Sequence, residues 1–160
     1  MRIVGAVIAG GKASRLGGEK AFLAFAGSTL VDTVIRRFAP QVDELVLNLR
    51  ADMPAAPTTL PIIRDDDHEI GPLAGIVACL SWAARRSAIF LATVPCDTPF
   101  LPLDLVAQLA RAAKPNELVA TPLCTGFEVA SLSKAEAVMA PSAIGARYLP
   151  GPDEDLAVPS

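Results

Sequence analysis

Between residues 10 and 20 the chain reads GGKASRLGGEK, placing Gly10, Gly11, Gly17 and Gly18 around the cations Lys12, Arg15 and Lys20. Glycine lets a backbone come close to a ligand and adopt positive φ, so successive N–H groups can point at an anion. Lysine adds a mobile positive charge and arginine a forked one, both suited to phosphate oxygens. A short apolar run, Ile3 to Ala9, precedes the glycines and reads as a buried strand. Together they outline a polyphosphate site, and a glycine-rich surface turn with solvated charges is the alternative. The Walker pattern is not met, because Gly11-Lys12 is followed by Ala13, and the spacing G-x-G-x-x-G is absent.

Further candidates follow along the chain. Asp97 lies in VPCDTPF, between Pro95 and Pro99, which keep the backbone out of helix. A carboxylate held there suits Mg²⁺, which takes one or two carboxylates plus substrate phosphates. The competing role is an aspartate turn residue, although Leu101 and Pro102 separate Asp97 from the helix it would cap. Asp65, in IIRDDDHE, is similar, with Asp66 and Asp67 leaving a solvated acidic loop as the alternative. Asn48 interrupts an apolar strand, either to read a base or ribose or simply as a polar strand end. Gly71-Pro72-Leu73-Ala74-Gly75 either presents N–H groups and backbone to a base or forms a tight turn into a helix. His68, the one histidine, sits in a charged loop and is expected to be solvated. Trp82 and Cys96 read as packing residues.

These residues need a scaffold, and the hydrophobic pattern supplies one. Leu30, Val31, Val34, Ile35 and Phe38 share a helical face that ends near Pro40. Strands are expected at Glu44–Leu49 and Leu60–Ile63. A helix carrying Leu73, Val77, Leu80 and Ala84 follows Gly71-Pro72. Ala88–Val94 reads as a buried strand, and Leu103–Ala113 as a helix with Pro102 at its first position. Glu117–Thr121 and Glu128–Leu132 would be further strands. This alternation predicts an α/β fold, a mostly parallel sheet with helices on both faces. Ligands in such sheets sit beyond the carboxyl ends of the strands, where Gly10-Gly11, Asn48, Asp65 and Cys96-Asp97 collect.

Composition narrows the partners. At 160 residues one domain spanning 1–160 is the simplest expectation. No apolar run approaches the ~20 residues of a membrane span, and the opening MRIVGAVIAGG is not expected to be a signal peptide. Cys79, Cys96 and Cys124 are an odd number without C-x-x-C, which points to a reduced, cytoplasmic setting. A net charge of −3 and 5% aromatic residues argue against nucleic acid as a partner.

The motifs VIAGGKASRLGGEKAFLAFAGSTLVD, NLR, IIRDD, GPLAGI and VPCDTPFLPLDL stand in an order and at a spacing that resemble the molybdenum cofactor guanylyltransferases. The resemblance covers about residues 3–132, and GFEVASL, residues 126–132, looks like a shortened form of that family's HP-x-x-AL segment. It implies a three-layer α/β/α, Rossmann-like nucleotidyltransferase fold. It also implies transfer of GMP from GTP to molybdenum-loaded molybdopterin, with Mg²⁺ and release of pyrophosphate. On that resemblance Ile8, Ala9, Gly10 and Gly11 would contact the guanine nucleotide. Lys20 would hold phosphate, Asn48, Asp65, Gly71, Pro72 and Leu73 would bind nucleotide, and Asp97 would bind it through Mg²⁺. Arg15, Lys20 and Asp97 would be the catalytic set, because phosphoryl-type transfer needs positioning and charge neutralisation rather than a protein nucleophile. Transient contact with cofactor-delivery or acceptor proteins is a further expectation.

Two departures accompany the resemblance. The glycine loop is one residue shorter before Lys20, and residues 133–160 are compressed and proline-rich, with the family's closing motif present only as GPDEDL at 151–156. Two other readings stay open: a nucleotidyltransferase using CTP or a sugar phosphate, and a non-catalytic nucleotide-binding domain.

Overall fold

A computed structural model describes residues 2–10, 20–54, 57–65, 72–88, 90–112, 117–120 and 145–148. Its contacts resolve two compact units, 1–106 and 107–160. The first unit is built on four parallel strands in the order β5-β4-β1-β6. They are β1 (Ile3–Ile8), β4 (Glu44–Arg50), β5 (Ile62–Asp65) and β6 (Phe90–Pro95). The central strand β1 pairs Ile8 with Asn48 on one side and with Pro95 on the other.

A hairpin of two short strands, β2 (Ala24–Phe25) and β3 (Ser28–Thr29), follows β1. Its turn residues Ala26 and Gly27 have φ of 46° and 80°, the paired positive angles of a tight hairpin turn. The hairpin delivers the chain to helix α1 (Leu30–Phe38) through Thr29, whose Oγ1 accepts from the Asp32 N–H at 3.1 Å. That bond satisfies one of the helix's first free donors. Val31, Val34 and Phe38 are the buried stripe, as the periodicity predicts.

Alternation along β1 sends the two helices to opposite faces. Val4 and Ala6 pack with Val46 and with Cys79, Trp82 and Ala83 of α2 (Pro72–Arg85). Gly5 faces the other way, and a Cβ there would come within 2.9 Å of the Phe38 ring of α1. The expected sheet with helices on both faces is therefore present. The buried face of α2 differs from the one expected: Ala74, Gly75, Cys79, Trp82 and Ala83 are buried, whereas Val77 and Ala84 are exposed. Small residues at 74, 75 and 79 let this helix lie close on the sheet, and bulk rather than hydropathy alone selected the face.

Three element boundaries also move. Strand β5 begins and ends two residues later than expected, because its pairing with β4 runs on through Leu49–Arg64 and Arg50–Asp65. Strand β6 starts at Phe90. Helix α3 (Leu105–Ala112) starts after a turn in which the Leu105 N–H reaches the Pro102 carbonyl at 3.5 Å, so Pro102 precedes the helix instead of opening it. In the second unit β7 (Glu117–Ala120) pairs in parallel with β8 (Gly145–Tyr148). The expected strand 128–132 lies outside the described residues.

Candidate functional site at the carboxyl ends of the strands

The connection leaving β1 reaches β4 by way of α1 on one face, and the connection entering β6 arrives by way of α2 on the other. Strands β1 and β6 thus flank the point where the winding reverses, the usual crevice for a ligand in an open α/β sheet. The ladder continues past both strand ends, with the Ala9 N–H donating to the Asn48 carbonyl at 3.0 Å and the Cys96 N–H to the Ile8 carbonyl at 3.1 Å. These bonds bring residues 8–10, 48 and 96–97 to one edge.

Asn48 and Asp65 form the centre. Both are buried, Asn48 completely, although most asparagine and aspartate side chains face water. The Asn48 Nδ2 donates to Asp65 Oδ2 at 2.9 Å and to the Ile63 carbonyl at 3.2 Å. The pair is therefore no solvated strand end or loose acidic loop. Its remaining oxygens, Asn48 Oδ1 and Asp65 Oδ1, have no hydrogen-bond donor among the described residues. A buried acceptor left without a donor costs about 1–3 kcal/mol, which makes this pair the candidate place for a ligand's donors.

Two glycines adjoin this pair. A Cβ at Gly10 would sit 3.5 Å from Asp65 Oδ2 and 3.6 Å from Asn48 Oδ1. A Cβ at Gly75 would fall 2.1 Å from Asn48 Oδ1, closer than any real contact, so position 75 must be glycine for Asn48 to stand where it does. The charge of Asp65 reaches Cys79, whose thiol is pushed up to about 12, chiefly by burial and then by that carboxylate.

Asp97 sits in the turn after β6, partly exposed. Thr98 is buried and its Oγ1 donates to the Pro95 carbonyl at 2.9 Å, and the Leu101 N–H reaches the Thr98 carbonyl at 3.3 Å. Arg37 of α1 and Gln41 in the turn just after it fasten the segment beyond: Arg37 Nε donates to the Leu101 carbonyl at 2.8 Å and Gln41 Nε2 to the Pro102 carbonyl at 2.9 Å. Asp97 thus stands on a turn fixed at both ends.

The expected residues Ile8, Ala9, Gly10, Asn48 and Asp65 come together at this edge, with Asp97 on the neighbouring turn. Lys20 opens a single 3-10 turn, Lys20–Phe22, and Pro72 and Leu73 begin α2, all three described by backbone alone. Gly11, Arg15, Gly71 and His68 lie outside the described residues. Sequence reasoning missed three contributors: Gly75 as the seat of Asn48, Thr98 as the brace of the Asp97 turn, and Arg50, whose Nη1 reaches the Gly10 carbonyl at 3.3 Å. Gly75 and Thr98 were inside motifs already singled out. Arg50 closes the NLR motif, where sequence reasoning gave it no role of its own.

Comparison with known proteins places the chain in a family. The MobA-like NTP transferase domain family matches residues 5–146. A molybdenum cofactor guanylyltransferase of Cereibacter sphaeroides is 46% identical over 117 residues, covering 71% of this chain and 60% of its own length. The chain therefore spans about 60% of the length of that relative. Among solved structures, molybdopterin-guanine dinucleotide biosynthesis protein A from Archaeoglobus fulgidus superposes with a TM-score of 0.56 at 19% identity, covering 92% of this chain and 83% of its own. A Mycobacterium tuberculosis protein solved in complex with manganese gives 0.54 at 16% identity, covering 94% and 90%. At those identities the two structures speak for the fold alone. With the family matched over most of its length, this chain belongs to the MobA-like NTP transferase domains.

Proposed function

We propose that this chain binds GTP at the carboxyl ends of β1, β4 and β6 and transfers GMP to the phosphate of molybdenum-loaded molybdopterin, releasing pyrophosphate. The observation that carries the reading is the buried Asn48–Asp65 pair beside Gly10, with two oxygens that have no donor among the described residues. Acceptors there call for a ligand rich in N–H or O–H groups, as a guanine edge or a ribose is. The identity to guanylyltransferases supports guanine and this acceptor over CTP or a sugar phosphate.

The chain's own residues do the positioning. Gly10 admits the nucleotide close to the strand ends, Asn48 and Asp65 orient it, and Lys20 and Arg15 neutralise phosphate charge. In-line attack by the acceptor phosphate on the α-phosphorus needs no protein nucleophile, since alignment and charge stabilisation carry most of such a reaction. Asp97 fits Mg²⁺: it is a partly exposed carboxylate on a braced turn, and among the described residues no cluster of three metal-ligating side chains gathers. Mg²⁺ completes its shell from water and phosphate and needs no such cluster. When bound it would neutralise charge on the phosphates. We place all 160 residues in one nucleotidyltransferase domain working in the cytoplasm, in transient contact with proteins that deliver or accept the cofactor.

The test is turnover. Purified protein with GTP, Mg²⁺ and molybdenum-loaded molybdopterin should release pyrophosphate and form the guanine dinucleotide. Turnover with CTP in place of GTP would overturn the guanine assignment. GTP binding without turnover of this acceptor would overturn the transferase reading and leave a binding domain.

A further inference from the structure

We infer that Arg50, held by Asp52, is a positioning residue that fixes the Gly10 peptide over the Asn48–Asp65 pair; its consequence for ligand affinity rests on the nucleotide-site reading above. Arg50 is the last residue of β4, and its guanidinium makes directed contacts with Asp52 and Gly10. Nε and Nη2 donate to the two carboxylate oxygens of Asp52 at 2.6 and 3.1 Å, and Nη1 donates to the Gly10 carbonyl at 3.3 Å. An exposed ion pair contributes little to stability by itself, and Asp52 is more than half exposed. What the two-point grip does is orient a planar group, so that its third nitrogen is aimed at one carbonyl.

The turn that carries this pair is itself fastened. The Met53 N–H donates to the Arg50 carbonyl at 3.1 Å, and the Ala51 N–H to the Asp65 carbonyl at 2.9 Å. Arg64, from β5, donates through one nitrogen to the carbonyls of Arg50 and Met53, each at 2.9 Å, and of Ala51 at 3.5 Å. Arg64 holds the turn, the turn presents Asp52, Asp52 aims Arg50, and Arg50 holds Gly10. At the far end a trans peptide is planar, so fixing the Gly10 carbonyl fixes the plane in which the chain leaves β1. Gly10 itself stands beside the pair: a Cβ built on it would be 3.5 Å from Asp65 Oδ2 and 3.4 Å from the Arg50 backbone nitrogen. A small rotation there would open or close the ground above Asn48 and Asp65.

Lysine separates this role from a plain positive charge near the phosphates. It keeps the charge, but one ammonium cannot grip both Asp52 oxygens and also reach Gly10 in a fixed plane. The experiment compares Arg50→Ala, Arg50→Lys and Asp52→Asn with the parent in two measurements. The first is the Gly10 carbonyl ¹³C resonance of the ligand-free protein, which moves upfield when the carbonyl loses a hydrogen bond. The second is the dissociation constant for GTP with Mg²⁺. We expect the resonance to shift in both Arg50 variants and by less in Asp52→Asn. GTP should bind roughly tenfold more weakly to both Arg50 variants, the loss of about one charge-assisted hydrogen bond. An unmoved Gly10 resonance in both Arg50 variants would overturn the inference. So would parental resonance and affinity in Arg50→Lys with losses only in Arg50→Ala, since charge would then suffice. If Arg50→Ala unfolds, Arg50→Lys and Asp52→Asn decide on the same two readings. A parent that fails to bind GTP would sink the nucleotide reading, and the ligand-free resonance would still decide the part played by Arg50.

Discussion

Gly75→Ala sets two well-known effects against each other. On helix propensity alone the substitution in α2 should stabilise the protein, because alanine is better than glycine in a helix interior by about 1 kcal/mol. The site geometry predicts the opposite. The new Cβ would lie 2.1 Å from Asn48 Oδ1 and 2.8 Å from its Cγ, so the amide must move. Asn48 is fully buried, and leaving its place breaks its 2.9 Å bond to Asp65. Overpacking of this kind costs about 1–3 kcal/mol, and a hydrogen bond to a charged group contributes about 1.5–3. The two costs overlap, since moving the amide is what breaks the bond, and set against the propensity gain they leave a net loss near the low end of their sum, about 2 kcal/mol. In a chain of this size each kcal/mol moves the melting temperature by about 2–4 °C, so the variant should melt about 4–8 °C below the parent. Calorimetric melts of the parent, Gly75→Ala, Asn48→Ala and the double variant complete the cycle. Asn48→Ala removes the atoms that the new methyl strikes, so the second substitution should cost at least about 1 kcal/mol less in that background. A Gly75→Ala protein that melts at or above the parent would refute the reasoning, because the close approach would then not constrain Asn48.

Asp97→Asn should melt near the parent without ligand, yet lose the Mg²⁺-dependent part of GTP stabilisation and most transfer, since asparagine keeps the shape but not the charge that Mg²⁺ requires; retained Mg²⁺ dependence would remove Asp97 from the metal. Cys79 gives a pH signature. Its thiol is raised from about 9 to about 12 in the fold, so between these values the unfolded chain loses a proton that the folded chain keeps, and stability should fall as pH rises through that window. Denaturant melts from pH 8.5 to 11 should show a shallower decline for Cys79→Ala, and an identical slope would deny the shift.

Much of the architecture was legible because it rests on local pattern. The apolar run Ile3–Ala9 announced β1, and the stripe Val31, Val34, Phe38 announced α1, since burial against one neighbour imposes a period on the sequence. The rest depended on partners far along the chain. Arg64 and Asp65 look like the end of a strand, yet they continue β5 because β4 still offers Leu49 and Arg50 to pair with. The hairpin at Ala26-Gly27 had only one glycine as a signal, and Ala26 at positive φ is a turn residue that propensity does not anticipate. In the site, glycines and carboxylates named the region, since they are the residue types a phosphate site uses. That Asn48 is wholly buried, that Gly75 makes its seat, and that Arg50 turns back on Gly10 are consequences of parallel register. A chain read in one dimension does not display them.

A guanine nucleotide seated at the strand ends around Asn48 and Asp65 would stabilise the fold in proportion to its binding. The most direct measurement is the melting shift of the parent protein with GTP, ATP, CTP or UTP, each with and without Mg²⁺. At ~100 times its dissociation constant a ligand stabilises by about 2.7 kcal/mol, which is roughly 5–11 °C for a chain of this size. GTP with Mg²⁺ should produce the largest shift, and Asn48→Ala should lose most of it. An equal or larger shift with CTP, or a parental GTP shift in a folded Asn48→Ala protein, would contradict a guanine site there.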